Sequence, residues 1–243
     1  MSDVNVGSNI VLSTAISIVG VVLNIILFLS PWRQLNAIKQ QKKKSPDGGD
    51  AVSDSTAFQY VAMTVNCLFW VTYSLLMHNR LLLIINGLGL ILSLFYNYLF
   101  FQVTERREQF LNQCNVAVLV YISALGYALY TTYTDESKKV LSFIGVCAAC
   151  ASLLMIGSPL IQLRQVIVKK NSDSIPATLA AAATASSLTW WMYGIIEHDS
   201  NIYVPNFIGA VLGILQLALK LIFRGRRPQV FSLLPTSSNS SAE

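Results

Sequence analysis

Acidic side chains are scarce in this chain of 243 residues, and none of its 12 Asp and Glu lies inside one of the long apolar stretches. Charged residues make up 12% of the sequence against 53% hydrophobic, with a mean hydropathy of +0.53. A soluble domain of this size covers itself with charge, so this composition excludes one. The lack of Asp, Glu, Lys or Arg at mid-stretch argues against a proton-coupled pump, a cation channel or a retinal protein, whose mechanisms need an intramembrane charge. Only two histidines occur, His78 and His198, both in short polar connections where solvated side chains are the default. The four cysteines lie in apolar stretches. Cys147 and Cys150 form a C-x-x-C without a nearby His or carboxylate, so they read as small apolar filler rather than a metal or redox centre. No catalytic residues, metal ligands or cofactor motif can be assembled from what remains.

What is present is a series of apolar runs near 10–30, 57–77, 81–103, 113–133, 140–163, 176–196 and 202–223. Each is long enough to cross a ~30 Å hydrocarbon core as a helix. Only helices and closed barrels satisfy their backbone in lipid, and runs this continuous are helices rather than alternating strands. The first run is not read as a cleaved leader, because Met1–Asn9 carries an aspartate and no Lys or Arg. With seven spans, 14 of the 17 Lys and Arg fall on the side shared by the C-terminus and three on the other. The positive-inside rule then predicts an outer or luminal N-terminus and a cytosolic C-terminus. The net charge of +5 is therefore a topology signal and no pointer to nucleic acid.

The two halves repeat. Ser30-Pro31 with Gln34-Leu35 recurs as Ser158-Pro159 with Gln162-Leu163, offset by 128. Trp70 with Tyr73, and Asn86 with Gly89, recur as Trp190 with Tyr193 and Asn206 with Gly209, offset by 120. The loss of eight residues falls in the first loop, from Lys39 to Ser55, where loops tolerate length changes. Three spans per copy leave 113–133 over, and one extra crossing is what makes two triple-helix repeats parallel, an arrangement used by some transporters. The expected fold is an all-α membrane protein with seven transmembrane helices. Its parts are a first repeat over 1–112, a linker helix over 113–135, a second repeat over 136–223 and a disordered cytosolic tail over 224–243. The Asn239-Ser-Ser sequon in that tail faces the wrong side for glycosylation.

Matched neutral polar and aromatic residues are the candidates for function. Asn86 and Asn206 sit in equivalent places inside apolar spans, where an unpaired amide is costly. They are either glue between helices or hydrogen-bonding groups for a polar ligand, and their pairing across a twofold axis favours the ligand. Trp70 and Trp190 lie deeper than an interfacial belt and offer a flat face to the C–H side of a sugar ring. Pro31 and Pro159 are either hinges or helix stops. One and two turns before them, Leu27 and Asn24 in the first copy and Met155 and Ser152 in the second face the same way and would line the cytosolic half of a central pathway.

In order and spacing these residues resemble the SWEET sugar transporters over roughly residues 10 to 223. The shared features are Ser-Pro-x-x-Gln from Ser30 and from Ser158, the segments Trp70 to Ser74 and Trp190 to Gly194, Asn86-Gly87, and Pro205-Asn206. The resemblance implies bidirectional, facilitative transport of small sugars by alternating access, without a coupling ion or cofactor. It implies that Asn86 and Asn206 bind sugar, that Trp70 and Trp190 line the pocket, that Pro31, Pro159 and Pro176 are hinges, and that Tyr73 and Asp199 form an outer gate. In span two the family's proline is replaced by Gln59, and Ser74 stands where the second copy has Gly194. The resemblance and the alanine run Ala180–Ala183 point to a homo-oligomer. The competing readings are an amino-acid carrier of the PQ-loop type, which shares the helix plan, and a seven-helix receptor. A bulky Met155 at the floor of the pathway favours a monosaccharide such as glucose over sucrose.

Overall fold

The computed structural model describes residues 2–44, 54–133, 137–155, 157–172 and 175–223. They form eight helices: α1 (Ser2–Lys44), α2 (Asp54–Leu76), α3 (Arg80–Val103), α4 (Arg107–Tyr133), α5 (Ser137–Met155), α6 (Gly157–Lys169), α7 (Ala177–Ile196) and α8 (Ser200–Ile222). By length and apolarity alone, α3, α4, α8 and residues 11–40 of α1 can cross a bilayer, and α5 is a shorter apolar helix. The helices α2 and α7 carry Thr, Ser and Asn along their length, as at Thr64, Asn66, Thr184 and Ser186. At 23 and 20 residues they are still about 30–35 Å long, and each packs along a long apolar partner, α3 or α8.

Two boundaries differ from the sequence expectation. The first helix does not end near residue 30 but continues to Lys44, so Lys39–Lys44 is helix rather than loop. Charge ends the lipid-facing run without ending the helix, and Lys42 anchors the extension by donating to the Val103 carbonyl at 2.8 Å and approaching Glu105 at 3.6 Å. Pro31 lies inside α1 and is no helix stop. A proline cannot bond the carbonyl four residues back, and here the Ser30 hydroxyl takes that Leu27 carbonyl at 2.7 Å. The fifth span is covered by α5 and α6; residue 156 between them, and the side chain of Pro159 expected as a hinge, lie outside the described residues. Residues 224–243, with their expected tail and sequon, lie outside the described residues.

The packing repeats as the sequence does. In the first half α1 and α2 both pack on α3; in the second, α5 and α7 both pack on α8. Between the halves α1 meets α7 and α5 meets α2, the same contact seen twice about a pseudo-twofold axis. The linker helix α4 lies against α2 and α5, tied by Tyr121 and Thr72, whose hydroxyls are 2.7 Å apart. At the end bearing the α2–α3 and α7–α8 turns, one buried cluster joins both halves, from Phe69 and Trp70 through Ile144 to Trp190 and Tyr193. At the opposite end the core divides into a cluster around Tyr60, Tyr96 and Phe100 and another around Val166, Ile175 and Ala180. The cavity described next lies between the halves.

Candidate functional site

A cavity of ≈ 290 Å³ lies on the pseudo-twofold axis, lined from both halves. Near the turn end its walls carry Trp70 and Asn86 from the first repeat and Trp190 and Asn206 from the second. Further along stand Asn24 and Ser152, then Leu27 and Met155, each pair repeat-related, with Pro31 beyond. The sequence candidates for the pathway thus meet in one place. Pro176 does not: it precedes the first residue of α7, is exposed, and is not part of the lining. Of the alanine run, Ala180 is buried in the protomer and Ala183 lines the cavity, so that run offers no continuous outer face.

The amides of Asn86 and Asn206 are oriented alike. Asn86 Nδ2 donates to the Leu82 carbonyl at 2.9 Å and Asn206 Nδ2 to the Ile202 carbonyl at 2.7 Å, each four residues back on its own helix. Neither amide bonds another helix, so they are not glue. Each leaves Oδ1 and a second N–H free of protein partners at the cavity wall. Both indoles are buried, at 6% and 5% exposure, which excludes an interfacial belt. Trp191, by contrast, turns away to pack on Phe207, ring centroids 5.8 Å apart.

Behind the indoles the halves differ. Trp70 Nε1 donates to Ser152 Oγ at 2.8 Å, and that hydroxyl donates to Asn66 Oδ1 at 2.8 Å. The equivalent residues of the other half are Trp190, Asn24 and Ser186. There Ser186 Oγ donates to Asn24 Oδ1 at 2.6 Å, while Trp190 Nε1 is buried without a partner. Sequence reasoning missed Asn66 and Ser186. The 120-residue offset relates them, but unlike side chains leave no self-match to notice. Gln59 and Pro205, seen in the sequence only as motif positions, also line the cavity.

The turn end is closed by two crossed hydrogen bonds. Tyr73 Oη donates to Asp199 Oδ2 at 2.7 Å, and Asn79 Nδ2 donates to Tyr193 Oη at 2.6 Å. Each bond joins a tyrosine of one half to the residue capping a helix of the other. Asn79 Oδ1 accepts from Leu82 N at 3.1 Å and Asp199 Oδ1 from Asn201 N at 2.9 Å, so each cap side chain is held by its own helix. Asn201 Nδ2 adds a third contact, 3.2 Å to Tyr73 Oη. The sequence pointed to Tyr73 and Asp199; applying the same offset to that pair yields Tyr193 and Asn79, which went unread because Asn and Asp differ. Among the described residues no group of His, Cys, Asp and Glu is arranged to hold a metal.

A helical membrane protein whose two repeats enclose one uncharged, substrate-sized cavity, sealed at one end, is built as a carrier. Comparison with known proteins specifies which. Residues 14–109 and 142–227 match the family described as "Sugar efflux transporter for intercellular exchange". The "Sugar transporter SWEET1" of Dictyostelium discoideum is 27% identical over 86% of this chain and 92% of its own. The "Bidirectional sugar transporter SWEET4" of Oryza sativa subsp. indica is 30% identical over 89% of this chain and 82% of its own. The solved structure described as "The 3.7 A resolution structure of a eukaryotic SWEET transporter" superposes with a TM-score of 0.69 at 25% identity, covering 87% of this chain and 96% of that one. The chain belongs to this SWEET family of seven-helix membrane transporters, and it is not an enzyme.

Proposed function

We propose that this protein carries small neutral sugars, monosaccharides such as glucose, in both directions across a membrane by alternating access. The observation that carries the reading is a cavity with no ionised side chain in its lining, flanked by repeat-related amides and indoles. Such a wall offers hydrogen bonds to hydroxyls and flat apolar faces to ring C–H groups. It offers no counter-charge to the ammonium and carboxylate of an amino acid, and burying unpaired charges is costly, so a PQ-loop amino-acid carrier is disfavoured. A volume of ≈ 290 Å³ stands at the small end of the ~300–1,000 Å³ usual for small-molecule sites. It fits one sugar ring better than two, in keeping with Met155 at its far end.

Alternating access needs two gates. The crossed bonds at the turn end would form one, and separation of the two clusters at the other end would open the path there. With the positive side cytosolic, the structure would be closed outward, with the N-terminus outside and the C-terminus in the cytosol. Pro31, whose carbonyl partner is held by Ser30, is a place where the bundles would flex. With no Asp, Glu, His, Lys or Arg in the cavity lining, transport would run down the sugar gradient only.

The test is uptake into liposomes of radiolabelled glucose and sucrose by the purified protein, with Asn86→Ala and Asn206→Ala beside it. Each truncation strands sugar hydroxyls in a desolvated site, at roughly 1–3 kcal/mol per lost bond, so rates at sub-saturating glucose should fall at least about ten-fold. Parent-like glucose uptake by a correctly inserted Asn206→Ala protein would overturn the site. Accumulation of glucose above the external level under a proton or sodium gradient would overturn the passive mechanism.

A further inference from the structure

Trp70 and Trp190 occupy equivalent positions, but different residues stand behind them. Behind Trp190 is Gly20 of α1. A Cβ added there would lie 2.9 Å from Trp190 Cε2, 3.1 Å from Nε1 and 3.2 Å from Cζ2. In the other half the position 128 residues on is Ala148, fully buried. Gly20 therefore makes a notch in α1 that the five-membered and six-membered rings of Trp190 fill edge-on. Non-bonded carbons settle at ~3.5–4.0 Å, so a methyl at position 20 would drive the indole off α1 by roughly half an ångström or more.

A second observation shows that the notch, and not a bond, positions this ring. Trp70 is fixed by its hydrogen bond to Ser152, itself held by Asn66. Trp190 Nε1 has no partner, so its location is set by shape alone. The space available to a displaced ring is the cavity it lines, because packed interiors do not yield elsewhere. The ring would then move toward the volume a ligand occupies.

We propose that Gly20 is a specificity-determining residue for transport: lacking a side chain, it seats Trp190 back against α1 and sets the cavity width that admits a hexose. The inference rests on the sugar-transport reading above. A hexopyranose exceeds a pentopyranose by one hydroxymethyl group, so a narrowed cavity should discriminate between them. One carbon in a shaped pocket commonly changes selectivity by about 10–200-fold.

The experiment measures D-glucose and D-xylose uptake in proteoliposomes of the parent, Gly20→Ala, Gly20→Ala/Trp190→Phe and Gly126→Ala, where nothing lies within 4 Å of the new methyl. In Gly20→Ala the glucose-to-xylose ratio should fall about ten-fold or more. The smaller ring of the double variant should return it toward the parent value, and Gly126→Ala should leave it unchanged. An unchanged ratio in Gly20→Ala, or equal loss of both sugars without recovery in the double variant, overturns the proposal and leaves Gly20 a simple packing residue. If Gly20→Ala inserts too poorly to assay, the double variant is read alone: a parent-like ratio supports the notch, and a ten-fold shifted ratio overturns it. A parent that carries neither sugar refutes the transport reading and the notch with it. A parent that carries both, with a ratio indifferent to residue 20, refutes only the notch.

Discussion

The α2–α3 and α7–α8 turns share little sequence beyond a tyrosine and a histidine, yet they are built alike. In both, the backbone N–H four residues after the tyrosine bonds its carbonyl, Met77 to Tyr73 at 2.9 Å and Glu197 to Tyr193 at 3.0 Å. In both, a histidine then takes the left-handed conformation, His78 at φ 53° and His198 at φ 54°, and a capping Asn79 or Asp199 starts the next helix. The shared geometry is what brings each cap within reach of the other half's tyrosine. The differences lie in side chains: Asp199 against Asn79, Gly194 against Ser74, and a free Trp190 N–H against a bonded Trp70. Backbone symmetry makes the axis and the crossed bonds that close the turn end, while the side chains differ on the two sides of it.

The largest expected difference is at Gly194 and Ser74. A Cβ on Gly194 would come 2.6 Å from the backbone nitrogen of Tyr203, which cannot swing aside. Ser74 fits its own site fully buried, its hydroxyl bonded to the Trp70 carbonyl. Gly194→Ser should therefore destabilise the protein by about 1–3 kcal/mol, and Ser74→Gly by about 0.5–1 kcal/mol from helix propensity. Thermal melting of the purified protein in detergent reads both. Equal losses would show that α7 and α8 are no closer than α2 and α3.

A smaller effect separates the two clamps. A carboxylate accepts a stronger hydrogen bond than a neutral amide, by roughly 1 kcal/mol. Asp199→Asn should loosen the turn end and Asn79→Asp should tighten it, with Tyr193 becoming the donor. Ile202 lines the cavity close to the crossed bonds of the turn end. Labelling of Ile202→Cys by a membrane-impermeant thiol reagent should rise about five-fold in the first background and fall in the second. Changes in the same direction would break the assignment of these pairs as one gate.

The smallest effect is at the turns themselves. Left-handed conformations strain a residue with a Cβ, and both histidines are exposed and free to change. His78→Gly and His198→Gly should each stabilise by at most about 1 kcal/mol, visible as small, equal rises in melting temperature. A drop at either would show that its imidazole makes a contact the turn depends on.

Much of the cavity lining was legible because identical residues recur at a fixed offset: Trp70 with Trp190 and Asn86 with Asn206. The helix count was legible because lipid demands long uninterrupted apolar runs. Asn79, Asn66 and Ser186 were not, since their repeat partners are chemically similar but not identical, and a comparison of letters passes over them. The continuation of α1 past Pro31 was also hidden. The Ser30 hydroxyl that satisfies the freed Leu27 carbonyl sits next to the proline in sequence, but only geometry shows that it does so.

Sequence by itself determined that this is a seven-helix membrane protein made of two like halves, because hydropathy and repetition are properties of order along the chain. It also pointed to a cavity lining without charged side chains, since the apolar runs carry none at mid-span. Tertiary structure alone decided which groups are left free to act. Whether an indole N–H is bonded or bare, whether an asparagine serves a neighbouring helix or a cavity, and whether a glycine faces open space or the edge of a tryptophan depend on partners far away in the chain. Hydrogen bonds and close contacts are properties of position in space, and helices that approach across a symmetry axis bring together residues that no local pattern connects.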